Sequence, residues 1–347
     1  MDARPHLSTL LSQVLIAYTI EADNEFESLM PHSTTIGVAA GEKRAGPWLI
    51  SLELWSNFLA FVPLEGISPA DLSARAGTRK LQVAGMSRWR YVRSEDGLLL
   101  LTPGGTRAAE IWRPLEARIE ERWRERFGAD AVASIRSSLA GCLADIAQIG
   151  PDYLPQVVHG LWTTPQLRPD RDPSELSDSL SAVLCRALTV IAVAFERTSP
   201  VSLALAANAL RVLEPDGVPA AEIWVRAGIA REITDVSLGY LEKQGLATLS
   251  GSGRAKIVKP TAGGIGAQRQ TNERLDELDR RFEPTRAALE TILSNTDGMV
   301  DALTPHPMGW RAQKPYLAQT ERMLVNPRAA LPHFPIVTHR GGFPDGS

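Results

Sequence analysis

The sequence predicts a mainly α protein with small β-hairpins, built as two tandem units that repeat one order of elements. Three observations predict it. Apolar residues recur at steps of three and four through the long segments, the period of helices with one buried face. Two short extended runs flank Arg93-Ser94-Glu95-Asp96-Gly97 and two more flank Ser250–Lys256, which are hairpin signals. Leu7–Glu27 aligns without gaps on Leu176–Glu196, a shift of 169 residues, with Leu, Ser, Leu, Ser, Val, Leu, Phe and Glu coinciding.

The first unit occupies residues 1–150. Leu7, Leu11, Val14, Leu15, Tyr18, Ala22 and Phe26 form one apolar stripe, with Asp23, Asn24 and Glu25 off it. After a polar break from Pro31 to Gly46, Pro47–Val62 reads as a second helix carrying Trp48, Leu52, Trp55, Leu59 and Val62. Ser68 is an N-cap candidate, followed by Pro69 and Asp71 in the first turn. Gly77 ends that helix and Thr78–Trp89 reads as the next. Tyr91-Val92 and Leu98–Leu101 are the hairpin strands, and long helices follow over Gly104–Phe127 and Ala131–Leu143. Residues 151–173 hold five prolines and little periodicity, and read as a linker. The second unit spans 174–298 and a Pro-rich extension spans 299–347.

The repeat continues beyond the first helix. Glu65–Gly77 aligns on Asp216–Gly228 at a shift of 151, Tyr91 on Leu246 at 155, and Thr102 on Thr261 at 159. The second copy therefore carries four more residues before its hairpin and four more within it. Leu154-Pro155 also echoes Leu331-Pro332, so the tail is expected to be partly ordered and to pack on the second unit over Leu331–Phe343.

Composition bounds the function. The chain has 347 residues, 44% hydrophobic and 22% charged, with a net charge of −3, so nucleic-acid affinity must come from local patches. Two cysteines, Cys142 and Cys185, are too few for a disulfide framework and read as buried thiols. The six histidines show no ligand spacing, no Ser/His/Asp arrangement stands out, and the Gly-rich stretches follow hairpins. No metal, no cofactor and no enzymatic activity are expected. The start of the chain has no signal-peptide pattern, and the most apolar run, Ala182–Phe195, is short and broken by Arg186. A cytoplasmic protein without membrane contact is expected.

Three helices and a hairpin in sequence, over Ala204–Gly264, make a winged helix-turn-helix. Ala221-Glu222-Ile223, Ala227-Gly228, Leu241–Leu246 and Thr261–Gly264 carry a resemblance to the MarR family of regulators. The resemblance covers residues 7–143 and 176–294. It implies that outer helices pack as a dimer core and that each winged lobe reads one half-site of double-stranded DNA. It also implies that small-molecule effectors sit between core and lobe. Here both units lie in one chain, so an intramolecular pseudo-dimer, monomeric in solution, is expected.

The resemblance also directs the choice of candidates. The first recognition segment, Leu72–Ser94, holds Arg75, Arg79, Lys80, Arg88, Arg90 and Arg93 and no acid. Arg79, Lys80, Arg88 and Arg90 are its DNA candidates; the plainer reading is a solvated basic face. In the second lobe, Arg231 and Thr234 are base-reading candidates, Lys243 and Lys256 further DNA contacts, and Arg254 a minor-groove contact at the wing. The wings depart from the family's Asp-then-Arg pair. Tyr18, His32, Trp48, Trp55, His159 and Trp162 are candidates for an effector pocket, with ordinary core packing as the plainer reading. The alternative function is a ligand-binding or protein-interaction module that keeps the fold without binding DNA.

Overall fold

A computed structural model describes residues 4–33, 46–76, 83–146, 152–154, 177–307, 309, 312 and 317–335, the side chains of 144–146, 232 and 317–320 excepted. It is mostly helical, with a few small antiparallel strand pairs. In chain order the elements are α1 (Leu7–Leu29), α2 (Leu52–Asn57), α3 (Pro69–Ala76), α4 (Val83–Arg88), β1 (Val92–Glu95), β2 (Leu98–Leu101), α5 (Pro103–Phe127) and α6 (Ala129–Ile146). Then follow α7 (Leu180–Glu196), α8 (Asn208–Arg211), β3 (Val218–Pro219), α9 (Ala220–Ala227), α10 (Thr234–Lys243), β4 (Ala247–Ser250) and β5 (Ile257–Pro260). The last are α11 (Ala262–Arg281), α12 (Glu283–Ser294), α13 (Thr296–Leu303), α14 (Leu317–Val325) and α15 (Pro327–Ala330).

Helix α1 is the pillar of the molecule. It packs on α5, α7, α11, α12 and α13, so it is buried on all sides and not along one stripe. Several of its buried polar residues are held there by hydrogen bonds. The Leu52 N–H donates to Asp23 Oδ1 at 2.7 Å, and Asn24 Nδ2 donates to the Thr304 carbonyl at 3.2 Å. Asp23 and Asn24, placed off the apolar stripe by the sequence, are interior residues for this reason.

Core contacts come in matched pairs. Helix α1 packs on α12, and α7 packs on α6; α1 packs on α5, and α7 packs on α11; α1 and α7 also meet each other, as do α6 and α12. Helix α2 starts later than the spacing predicts. Ser51 caps it by accepting from Leu54 N–H, and residues 47–50 are non-helical. The Trp48 N–H is committed to the Trp89 carbonyl at 3.1 Å, which anchors this segment to the end of α4. Ser202 caps the turn before α8 in the same way, accepting from Leu205 N–H, at the 151-residue shift from Ser51.

The two winged elements share one register. Val92 pairs with Leu101, and Ala247 with Pro260, at shifts of 155 and 159. Ile67 bridges Leu99, and Val218 pairs with Val258, at shifts of 151 and 159. The second sheet has the order β3-β5-β4. Strand β3, two residues long, is not legible in the sequence because it has no length over which to alternate. Among the described residues, no helix is long and apolar enough to cross a membrane.

Candidate nucleic-acid interface

One threonine secures the root of each wing. Thr102 Oγ1 accepts from Gly105 N–H and lies within hydrogen-bond reach of the Arg90 and Tyr91 carbonyls. Thr261 Oγ1 accepts from Gly264 N–H and donates to the Gly245 carbonyl at 2.7 Å. A Cβ on Gly105 would lie 2.1 Å from the Tyr91 carbonyl oxygen, and one on Gly264 1.9 Å from that of Leu246. These glycines let the long helix start against the strand, so the hairpin and helix are held rigidly together.

In the second lobe, α9 ends at Gly228, whose φ of +58° suits a residue without Cβ. A 3-10 turn, Arg231–Ile233, then leads into α10, about 15 Å long at the usual rise. The outward positions of this turn and of α10 are Arg231 in the turn and Asp235, Val236, Gly239, Glu242 and Lys243 in the helix. Arg254 projects from the wing tip, inside the short turn Gly253–Ala255. Lys256 is half-buried, with Nζ 3.9 Å from Asp235 Oδ1 on α10. Thr234 requires a correction. Its side chain is buried on the inner face of α10, and the hydroxyl finds no partner there. It therefore cannot reach a base edge in this arrangement.

The first lobe is shorter. Its wing turns in two residues, Asp96 and Gly97, with φ of +49° and +79°, the positive pair that a tight hairpin needs. The second wing takes six, residues 251–256, between Ser250 and Ile257. Gly85 in α4 looks like a helix weakener, but the Trp89 ring lies over it, with a hypothetical Cβ 3.1 Å from that ring. Arg88 and Arg90 are exposed beside this tryptophan. The Arg88 guanidinium stands 5.8 Å from the Trp89 ring, and Arg90 Nη1 donates to the Gly46 carbonyl at 3.3 Å. Arg90 has φ +70° where the second copy has Gly245 at +67°, so an L-residue is held in a conformation that glycine adopts freely. Arg93 pairs with Glu95 on the same strand. Arg79 and Lys80 lie outside the described residues.

Among the described residues of the aromatic set, Tyr18 and Trp55 lie in different places. Tyr18 packs edge-on to Trp123 at 5.3 Å and donates its hydroxyl to the Glu116 carbonyl, while burial pushes the phenol well above its ordinary pKa. Trp55 stacks on Trp112 at 6.2 Å, and Trp112 on Phe26 at 4.5 Å. Trp112 and Trp123 are separated by three turns of α5, about 16 Å, so Tyr18 and Trp55 belong to different layers of core. His32 is buried near Glu27, with Nε2 3.8 Å from Oε1, and Trp48 is 47% exposed. His159 and Trp162 lie outside the described residues.

A third constellation was not visible in the sequence. His6 Nδ1, Asp276 Oδ1 and Asp279 Oδ2 converge within 4.8 Å. His6 Nδ1 is 2.8 Å from Asp279 Oδ2, Leu7 N–H donates to Asp279 Oδ1 at 2.6 Å, and Arg286 Nη1 stands 3.3 Å from the same carboxylate. Burial raises the Asp279 pKa, but His6 and the Leu7 amide outweigh it and hold the carboxyl below its ordinary value. With its oxygens committed and a guanidinium alongside, Asp279 serves as an ion-paired cap for α1, an arrangement that disfavours a metal cation. The separation of more than 260 residues between partners leaves no local signal. Comparison with protein-family models, with curated proteins and with solved structures gave no significant match.

Proposed function

We propose that this chain is a DNA-binding transcriptional regulator, without catalytic activity, whose two MarR-like winged units form an intramolecular pseudo-dimer. The observation that carries this reading is the shared register of the two winged elements, together with Arg231, Lys243 and Arg254 exposed on the better-formed one. The reciprocal packing of α1 on α12 and α7 on α6 supports the pseudo-two-fold. In this reading Arg231 reads a base edge from the start of α10, Arg254 enters the minor groove, and Arg88 and Arg90 contribute phosphate contacts. A small-molecule effector would act by shifting the spacing of the two heads.

Selection from random duplex pools at two salt concentrations tests this. Binding should weaken steeply with salt, and Arg231→Ala should cost on the order of 1–3 kcal/mol on the selected site while relaxing one position. Because the first lobe supplies mainly phosphate contacts and the second the base reading, an imperfect or one-sided operator is expected, and a perfect palindrome with equal losses from matched changes in both lobes would contradict it.

One observation favours a second reading, a ligand-binding or protein-interaction module. The outward face of α10 interleaves Asp235 and Glu242 with Arg231 and Lys243, and Lys256 is already engaged with Asp235. Such a face is close to neutral and attracts phosphate weakly. No binding to any duplex at low salt would decide for this reading.

A further inference from the structure

We propose that Arg322–Pro335 is a strap that sets the orientation of the second winged lobe against the central helix α1. The segment bridges two parts of the fold that also meet where residues 203–207 pack on both α7 and α10 and where α11 packs on α1 and α7. On the lobe side, the His333 N–H donates to the Gly228 carbonyl at 2.6 Å. The His333 ring lies so close over the turn that a Cβ on Gly228 would stand 2.4 Å from it. The Arg322 guanidinium covers the Trp224 ring on α9, 4.8 Å from its centre. These contacts grip the corner between α9 and α10, immediately before Arg231.

On the core side, Ser12 Oγ donates to the Pro332 carbonyl at 2.6 Å, and Gln13 Nε2 donates to the Arg328 carbonyl at 2.7 Å and to that of Leu331 at 3.3 Å. Arg328 pairs with Glu290 of α12 at 2.7 Å. Met323, Leu331 and Phe334 are buried, so apolar area as well as hydrogen bonds seats the segment. Ser12 and Gln13 belong to the first unit, Gly228 and Trp224 to the second. Rotating the lobe about α1 must therefore break one set of contacts or the other, because the single residue between Leu331 and His333, Pro332, has no slack to absorb the motion. Packed elements of this kind hold discrete positions, so removing the strap releases an orientation and does not merely soften it.

The strap stands on these contacts; only its consequence for DNA rests on the regulator reading above. Spin labels on Arg118→Cys in α5 and Glu242→Cys in α10, both exposed positions, report the angle of the lobe, since Cys142 and Cys185 are buried. Pulsed dipolar distances would be compared between the full chain and a chain ending at Glu321. The expected result is a narrow distribution in the full chain and a broadened or displaced one without the strap. Superimposable distributions would overturn the proposal. Should the shortened chain lose its cooperative melt, the full-length double variant Ser12→Ala with Gln13→Ala is judged by the same criterion. The same chains titrated with the selected duplex are expected to lose about tenfold in affinity on strap release, as preorganised spacing is lost. A distance change in a protein that binds no duplex removes the DNA reading and leaves the strap standing.

Discussion

Glu21 shows how one carboxylate can be kept inside a helical core. It is 4% exposed, and it accepts from Trp123 Nε1 at 2.7 Å, from both terminal nitrogens of Arg126 at 2.7 and 3.0 Å, and from Arg122 at 3.1 Å. Removing it leaves an indole N–H and a nearly buried guanidinium short of a partner. Glu21→Ala should therefore cost roughly 3–5 kcal/mol in denaturant unfolding, as for broken buried pairs. Glu21→Gln, which keeps the acceptor but not the charge, should cost less. His333 carries a different signature. Burial, then the charges of Arg211 and His6, push its pKa down to about 4. The unfolded chain binds this proton first, at its ordinary value near 6.5. The neutral ring's contribution is therefore whole above pH 6.5 and is lost as pH falls towards 4, to the extent of about 3 kcal/mol. Unfolding profiles over that range should be flatter for His333→Asn than for the parent protein. Neither role was legible in the sequence, because the partners are brought together by packing and not by spacing.

At the scale of elements, the junction of wing and long helix sets the shape of each lobe. Gly264 and Gly266 are two residues apart in α11, yet their surroundings differ completely. A Cβ at Gly264 meets backbone at 1.9 Å, whereas at Gly266 nothing lies within 4 Å. Gly264→Ala should destabilise by about 1–3 kcal/mol through overpacking, and Gly266→Ala should stabilise by up to about 1 kcal/mol through helix propensity. Thermal melts of the two variants should shift in opposite directions; equal shifts would show that the strand does not constrain the helix start. The long helices α1, α5 and α7 and both hairpins were legible from period and turn residues. Helix α2 was overextended to Pro47 in that reading, since Trp48 fits the apolar spacing while its N–H is bonded to Trp89 instead.

For the molecule as a whole, α1 packs on α7 and α6 on α12 within one chain; on the proposed pseudo-dimer reading these are the faces that a dimer would otherwise bury. Sedimentation at micromolar concentration should give a single species of 37.7 kDa. A stable dimer would show that the exposed faces, and not the internal ones, are the associating surfaces. The sequence-level expectation for the extension, that Leu331–Phe343 packs on the second unit, meets a broader arrangement. Residues 331–335 touch α1 of the first unit as well as the Gly228 turn of the second; residues 336–343 lie outside the described residues.

By itself, the sequence determined the long helices of the first half, where the two hairpins turn, and the internal repeat of α1 at α7. Those features depend on side-chain period, caps and turn chemistry over a few residues, and each strand register follows from them. Only the tertiary structure decided that α1 is buried on every side, that Thr234 faces inward, that Tyr18 and Trp55 occupy separate layers, and that the C-terminal segment grips the turn between α9 and α10. Each of these depends on which element lies beside which. Contacts between residues as distant as Ser12 and Pro332 follow from close packing of the whole chain, which no local pattern encodes.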